Sequence, residues 1–228
     1  MKILLIDTCG ETGSVALADT GCDPVSILTT SLPGRTASER LLSVIRALAA
    51  PLDSLDAVVV VHGPGSFTGV RVSLSAAKGL CEALNLPLVA ISRLAVLAHL
   101  AAPPAGARVR AVLDAGRGEF YSGEYVDGVC IREVLLTRDE VLAGAQIQPQ
   151  ITVTCEAAVD ASLAVLAPRF VAQPVAESAL PLALARIEEQ AFDDTATIDA
   201  NYLRRTDAEI FAKPRAAAVL HPTVTPVP

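Results

Sequence analysis

The chain has 228 residues and a formal net charge of −7, from 18 Lys and Arg against 25 Asp and Glu. Hydrophobic residues make up 52% of it and aromatic residues only 4%, which excludes an intrinsically disordered chain and predicts an aliphatic core. Because Lys and Arg are fewer than Asp and Glu, the composition argues against a protein that binds nucleic-acid phosphates by itself. Any binding of RNA would then be shared with a partner.

The first third of the chain alternates short apolar runs with polar turns. Three of these runs predict an antiparallel meander of strands, at 3–6, 14–18 and 25–29. Thr36 and Glu39 then form a capping-box pattern, and the apolar spacing after it predicts a helix from about 37 to 50. The β-branched run 57–61 predicts a strand that is buried on both faces of a sheet.

A glycine-rich loop, Gly63 to Gly69, separates that strand from a second helix, predicted over about 69 to 85 and followed by a strand at 86–91. Glycines permit close approach to a ligand and a helix start presents free N–H groups, so the loop could hold an anion. It could equally be a tight strand-to-helix turn with close packing. It has neither the Gly-Lys-Ser/Thr of a Walker loop nor the third glycine of the dinucleotide fingerprint.

The second half repeats the opening pattern. Asp7 and Asp114 lie about half the chain apart, and each closes an apolar strand just before a glycine-bearing hairpin turn, which predicts an internal duplication. The second meander is predicted at 109–113, 119–125 and 129–136. Beyond it we predict a strand at 151–154 and helices near 138–144, 159–166 and 177–190.

These elements predict an α/β protein with two lobes, 1–102 and a less regular 107–213. The proline-rich end, 214–228, is predicted to be a disordered tail. Mean hydropathy is high at +0.47, but charged residues and prolines interrupt the most apolar windows, and Asp7 follows too soon for a signal-peptide core. Five scattered Cys without a CxxC pair fit reduced thiols, so we expect a soluble cytoplasmic protein that does not contact the membrane.

Few side chains offer catalytic or metal chemistry. Ser75 and Lys78 match the Ser-x-x-Lys of serine acyl-enzymes, but this serine would lie two turns inside its helix, so the match is interpreted as accidental. The three His are too far apart for a helical metal pair. Asp7 and Asp114 could hold Mg²⁺ through water or could cap their own turns, and the residues alone favour the cap.

Small residues follow one another along the helix after the glycine loop. They allow a neighbouring helix to approach closely, which predicts either an interface with a partner or packing within the chain. These residues are Ser73, Ser75, Ala76, Ala77 and Gly79.

Residues 63–80, Gly-Pro-Gly-Ser-Phe-Thr-Gly-Val-Arg-Val-Ser-Leu-Ser-Ala-Ala-Lys-Gly-Leu, resemble the signature of the TsaB (YeaZ) family, which takes part in tRNA threonylcarbamoyladenosine biosynthesis. The resemblance covers roughly the first 125 residues and a short C-terminal patch. Four further segments carry it, at 3–8, 38–42, 114–121 and 202–204. The chain departs from the family where a His commonly precedes the Ser-Glu of the first helix, because Ala37 stands there.

The resemblance implies a duplicated actin-like fold of the RNase H-like (ASKHA) class, with two lobes of mixed sheets flanked by helices. The catalytic sister family, TsaD, carries a His-x-x-x-His metal motif after the strand that corresponds to 86–91. Arg93 and Leu97 occupy those two positions here. A guanidinium is not deprotonated in proteins and a leucine has no lone pair, so neither holds a cation.

What the resemblance implies for function is a non-catalytic scaffold or activator that pairs with a TsaD-like subunit. That complex modifies the adenosine beside the tRNA anticodon, with a TsaE-like ATPase in the assembly and tRNA bound only through the complex. The chain itself would need no cofactor, ATP and Mg²⁺ would belong to the complex, and the chain alone would be a homodimer. The expected partner interface is Ser38, Leu41, Leu42, Ile45, Arg71, Ser73, Ala77 and Lys78.

A second group of residues would lie near a nucleotide at the subunit junction, namely Asp7, Gly63, Gly65, Ser66, Thr68, Gly69 and Asp114. Two other functions are alternatives for a chain with this resemblance. One is a glycoprotease-like peptidase of the M22 type, which would need metal ligands or a paired serine that this chain does not offer. The other is a sugar or acetate kinase of the same fold, which would bind ATP tightly by itself.

Overall fold

The protein is described by a computed structural model over residues 1–33, 37–147 and 150–203. Within these ranges the strands form two five-stranded sheets with the same spatial order. The predicted tail at 214–228, Arg204 of the C-terminal patch and Thr36 of the capping box lie outside the described residues.

The first sheet has the order β3-β2-β1-β4-β5. The meander β1-β2-β3 is antiparallel, whereas β4 and β5 are parallel to β1 because helices connect them. Every residue of β4 is buried, as its uninterrupted apolar run predicts, while β3 is mostly exposed at the sheet edge. The strands are β1 (Lys2–Asp7), β2 (Thr12–Asp19), β3 (Ser26–Pro33), β4 (Ala57–Val61) and β5 (Leu88–Ile91).

The second sheet repeats this order as β8-β7-β6-β9-β10, again with an antiparallel meander and two parallel strands. The shared order confirms the predicted duplication and the fold class. The strand at 169–170 had no pattern in the sequence because two residues carry no periodicity. The strands are β6 (Arg108–Gly116), β7 (Glu119–Val126), β8 (Val129–Thr137), β9 (Ile151–Thr154) and β10 (Arg169–Phe170).

The helices largely follow the predicted positions. The second helix begins two residues earlier than predicted, because Ser66 caps it by accepting a hydrogen bond from Gly69 N at 3.2 Å, and it ends at the left-handed Asn85. The helix at 93–100 was not predicted. The helices are α1 (Ala37–Leu48), α2 (Phe67–Leu84), α3 (Arg93–Leu100), α4 (Arg138–Ile147), α5 (Ala157–Ser162) and α6 (Leu180–Glu188). Short 3₁₀ turns occupy Leu52–Ser54, Ala164–Leu166 and Ala176–Ala179.

Two helices pack across the boundary between the sheets. Leu94 and Leu97 of α3 belong to the core beneath the second sheet. Leu180 and Ala183 of α6, although later in the chain than the second sheet, belong to the core of the first. The two halves are therefore interlocked by these helices, and the lobe boundaries 1–102 and 107–213 remain a prediction.

No helix in the described ranges is both long and apolar enough to cross a membrane.

Candidate functional site

A cleft of about 1070 Å³ lies between the two halves and is the candidate site. Both repeats contribute to its wall. The first supplies the β1–β2 turn and the glycine loop, and the second supplies the end of β6 and the start of α5. The lining includes Thr8, Cys9, Gly10, Glu11, Gly65, Ser66, Thr68, Gly69, Arg93, Asp114, Tyr121, Cys155, Glu156, Phe170 and Gln173.

Five of the predicted nucleotide-proximal residues line this cleft: Gly65, Ser66, Thr68, Gly69 and Asp114. Asp7 and Gly63 do not. Asp7 is buried behind the wall at 3% exposure, and Gly63 hydrogen-bonds to Arg93 N through its carbonyl oxygen. The structure therefore brings most of the predicted set together, while whether a nucleotide binds there stays a prediction.

The two duplicated aspartates have the same local role. Asp7 Oδ1 accepts a hydrogen bond from Cys9 N, and Asp114 Oδ1 accepts one from Gly116 N, each at 2.8 Å. Both contacts span two residues, the geometry of an Asx turn. The cap that the residues favoured is therefore confirmed at both positions.

The glycine loop is shaped by its contact with the β1–β2 turn. A side chain at Gly65 would place its Cβ 2.3 Å from Cys9 O, and one at Gly69 would place it 1.9 Å from Thr8 O. Ser66 N donates to Cys9 O at 2.8 Å, and Thr8 Oγ1 donates to Gly69 O at 2.5 Å. Close packing accounts for these two glycines, and the loop also forms part of the cleft wall.

Arg93 is the buried cation of the cleft. Its side chain, from the first residue of α3, reaches the other half and donates to Cys9 O at 3.4 Å and to Gln173 Oε1 at 3.1 Å, while its Nε has no described partner. Burial raises the pKa of Asp7, and the Arg93 charge and the Cys9 hydrogen bonds oppose that rise. A guanidinium thus supplies positive charge beside this aspartate.

Leu97 has no access to the cleft, since it is fully buried in the core of the second half. Among the described residues no three His, Cys, Asp or Glu side chains form a group that could hold a metal ion. Asp7 Oδ1 and Asp114 Oδ1 each accept from a backbone N–H of their own turn, and Asp7 is buried behind the wall, so a water-mediated Mg²⁺ at this pair stays a prediction.

Acidic side chains dominate the open part of the cleft. Glu156 accepts a hydrogen bond from Asp114 N at 2.6 Å. Burial raises the pKa of Glu156, that hydrogen bond and the Arg93 charge oppose the rise, and the charges of Asp114 and Glu11 add to it. This wall repels an unaccompanied anion, so the glycine loop is not by itself evidence for phosphate binding.

The two thiols in the cleft wall, Cys9 and Cys155, are both buried. Burial is the largest cause that raises the pKa of Cys9, which donates to Val61 O at 3.1 Å. Burial also raises the pKa of Cys155 to about 11. Because the thiolate is the nucleophilic form, neither cysteine is suited to covalent catalysis at neutral pH.

Half of the predicted interface residues are unavailable to a partner. Four of the eight face the chain's own core: Leu41, Ile45, Ser73 and Ala77, each at most 1% exposed. Their apolar spacing came from the buried face of each helix, and the stripe of small residues on α2 serves packing within the chain at 73 and 77. Ser38, Leu42 and Arg71 are exposed, and Lys78 is partly exposed.

The Ser-x-x-Lys match has no catalytic geometry. Ser75 is exposed on α2 and is not part of the cleft wall, and Lys78 Nζ donates to Ile198 O at 3.1 Å. A serine nucleophile needs a nearby base and a cleft for its substrate. The interpretation of this motif as accidental agrees with that arrangement.

An exposed cluster beside the glycine loop was not predicted from the sequence. The guanidinium carbon of Arg71 lies 3.3 Å from the centre of the Phe67 ring and 5.2 Å from that of Tyr202. Phe67 is 60% exposed and Tyr202 41%. Phe67 and Arg71 are one helical turn apart, and this spacing could have predicted that their side chains meet. No local pattern predicts that Tyr202 lies beside them.

Comparison with known proteins agrees with this architecture. A family model described as TsaD, tRNA N6-adenosine threonylcarbamoyltransferase, matches residues 32–214. The tRNA threonylcarbamoyladenosine biosynthesis protein TsaB of Escherichia coli (strain K12) is 37% identical over 130 residues, which cover 55% of this chain and 55% of that protein. The protein of the same name from Bacillus subtilis (strain 168) is 35% identical over 130 residues, with the same coverage of both. The chain thus matches about half the length of these relatives.

A solved structure extends the similarity over most of the fold. YeaZ from Pseudomonas aeruginosa superposes with a TM-score of 0.69 at 28% identity, covering 88% of this chain and 100% of that one. Because it covers 88% of this chain, the superposition extends into both halves of the fold.

Proposed function

The chain belongs to the TsaB (YeaZ) family, whose members share the TsaD-like domain matched over residues 32–214, and on that premise we propose that it is a non-catalytic subunit in the synthesis of threonylcarbamoyladenosine in tRNA. It would pair with a TsaD-like subunit that carries the chemistry. A TsaE-like ATPase would act in the same assembly, and tRNA would bind through the complex.

A non-catalytic role is supported by the residues at the two positions where the sister family carries metal ligands, Arg93 and Leu97. Arg93 bridges Cys9 and Gln173 across the cleft, and Leu97 is packed in the core. The buried thiols and the aspartates are likewise engaged in holding turns and packing together. The side chains of the cleft are thus fitted for stability rather than for proton transfer or nucleophilic attack.

The surface that would receive the partner is the exposed face of α1 and α2. Gly79 is exposed there, and a Cβ at this position would meet no described atom within 4 Å. A helix face of this kind admits the backbone of another helix closely. The same face could pair two copies of the chain when the partner is absent.

Nucleoside analysis of tRNA from cells depleted of this protein tests the function. The proposal expects threonylcarbamoyladenosine to fall and to return on complementation with the wild-type chain. Gly79→Arg should fail to complement and fail to retain the TsaD-like subunit in a pull-down, whereas Gly79→Ala, the matched control, should do both. Unchanged threonylcarbamoyladenosine after depletion would refute the function itself.

A further inference from the structure

The exposed cluster of Phe67, Arg71 and Tyr202, which we call the aromatic–arginine cluster, has no role in the cleft. Its three side chains come from the start of α2 and from the C-terminal segment after α6. Large exposed aromatic rings are costly to leave in water, and these rings belong to none of the three hydrophobic clusters in the described ranges. Aromatic residues and arginine are also the types that dominate binding energy at protein interfaces.

The stacking of Arg71 determines which of its groups remain free. The Phe67 ring covers the guanidinium at 3.3 Å, and the Tyr202 ring lies 6.2 Å from that of Phe67. Among the described residues Arg71 has no hydrogen-bond acceptor and no ion pair, so the N–H groups along its edge are available. A guanidinium held by its face presents that edge as a preorganised fork, which matches the two oxygens of a carboxylate.

The charge of the surrounding helices favours an acidic occupant. Together α1 and α2 carry four cationic side chains and two acidic ones, while the whole chain has a net charge of −7. These two helices are therefore net positive within an acidic chain. The cations are Arg40, Arg46, Arg71 and Lys78, and the acids are Glu39 and Glu82.

We propose that the aromatic–arginine cluster is the binding hot spot for the catalytic partner subunit, and that it receives a carboxylate side chain flanked by apolar side chains. The carboxylate would bind the Arg71 edge, and its apolar neighbours would cover the rings of Phe67 and Tyr202. This inference rests on the proposed function for the identity of the partner. A protein fits better than RNA, because the exposed rings of Phe67 and Tyr202 need apolar cover.

The test is the affinity of the full-length chain for the TsaD-like subunit, measured by calorimetry. Arg71→Ala and Phe67→Ala should each weaken binding by about 30-fold or more, as loss of a hot-spot residue does. Arg71→Lys should weaken it by about 10-fold, because lysine keeps the charge but neither stacks nor forms a fork. Arg117→Gln, an exposed arginine in the β6–β7 turn, is the matched control and should bind like wild type.

The possible results distinguish failure of the proposed function from failure of the hot spot alone. If wild type does not bind the subunit, the proposed function fails and the inference fails with it. If wild type binds and Arg71→Ala binds within about threefold of it, only the hot spot is refuted. If Arg71→Lys matches wild type, charge alone acts and the stacked fork is refuted. A parallel titration with tRNA alone would overturn the protein occupant if Arg71→Ala lowered affinity there and left subunit binding intact.

Discussion

Single buried charges set the electrostatics of this protein. Glu124 on β7 is 6% exposed and pairs with Arg110 and Arg132, each at 2.7 Å, and with Arg108 at 3.3 Å. Burial by itself would raise the pKa of Glu124, but the hydrogen bonds from Arg132 and Arg110 outweigh it and hold the pKa at about 2. Its partner Arg110 is also buried and donates to Val141 O at 2.8 Å, so this cluster is part of the core of the second half.

The depressed pKa of Glu124 predicts acid sensitivity. Because its folded-state pKa is about 2 against an ordinary 4.5, Glu124 stabilises the fold above about pH 4.5, and this contribution is lost as the pH falls towards 2. Arg132→Gln removes the exposed partner and leaves Arg110 in place. We expect the free energy of unfolding to fall by about 0.5–1 kcal/mol at pH 7 and to match wild type near pH 2.

Urea unfolding of both proteins at pH 7, 4 and 2 checks this expectation, with Arg117→Gln as the control for loss of an exposed surface charge. A deficit of the same size at every pH would contradict the assigned role of Glu124.

At the scale of elements, α2 combines two kinds of glycine. Gly69 lies against the β1–β2 turn, whereas Gly79 faces open space. The sequence predicted this helix and the packing role of the loop as one of two alternatives. The sequence could not distinguish the two glycines. The residue that contacts Gly69, Thr8, is 61 positions away in the chain, and a Cβ at Gly79 would meet no described atom within 4 Å.

The two glycines predict opposite effects of the same substitution. Gly69→Ala should destabilise the chain by about 2 kcal/mol or more, since its Cβ would collide with Thr8 O and the β1–β2 turn cannot move freely. Gly79→Ala should stabilise it by about 0.5–1 kcal/mol, because alanine is the better helix former. Thermal unfolding of the two variants beside wild type measures both. Equal effects of the two substitutions would show that helix propensity alone decides.

In the molecule as a whole, each half packs against a helix that belongs by sequence position to the other half. α3 packs under the second sheet although it follows the first, and α6 returns to the first sheet after the second. Glu133 on β8 adds a further tie, accepting hydrogen bonds from Ser92, Tyr125 and Asn201. Both sheets thus depend on segments that belong by position to the other half.

This interlocking predicts that the halves unfold together. Cys81 in the first core and Cys155 in the second are buried, and burial raises their pKa to about 12 and about 11, so both should resist thiol reagents until the fold opens. Pulse labelling across a urea titration should give the same midpoint for the two. The exposed Cys22 should react without urea and serves as the internal control. Separate midpoints would show independent lobes.

Local sequence patterns were enough to predict most of the helices and strands and their repetition. Periodicity placed β4, α1 and α2, and the matching Asp7 and Asp114 turns announced the duplication, because these signals come from neighbours within a few residues along the chain. The short β10 and α3 escaped prediction, since two residues carry no period and a helix buried on most sides has no polar face.

Only the tertiary structure decided which face of each helix is free and which side chains meet. It turned Leu41, Ile45, Ser73 and Ala77 inward, since an amphipathic pattern shows that a face is buried but not whether its own sheet or a partner buries it. It also brought Arg93 to Cys9 and Gln173, and Tyr202 to Arg71. Such contacts join residues at least 80 positions apart in the chain, and the packing of whole sheets and helices, rather than any local preference, fixes them.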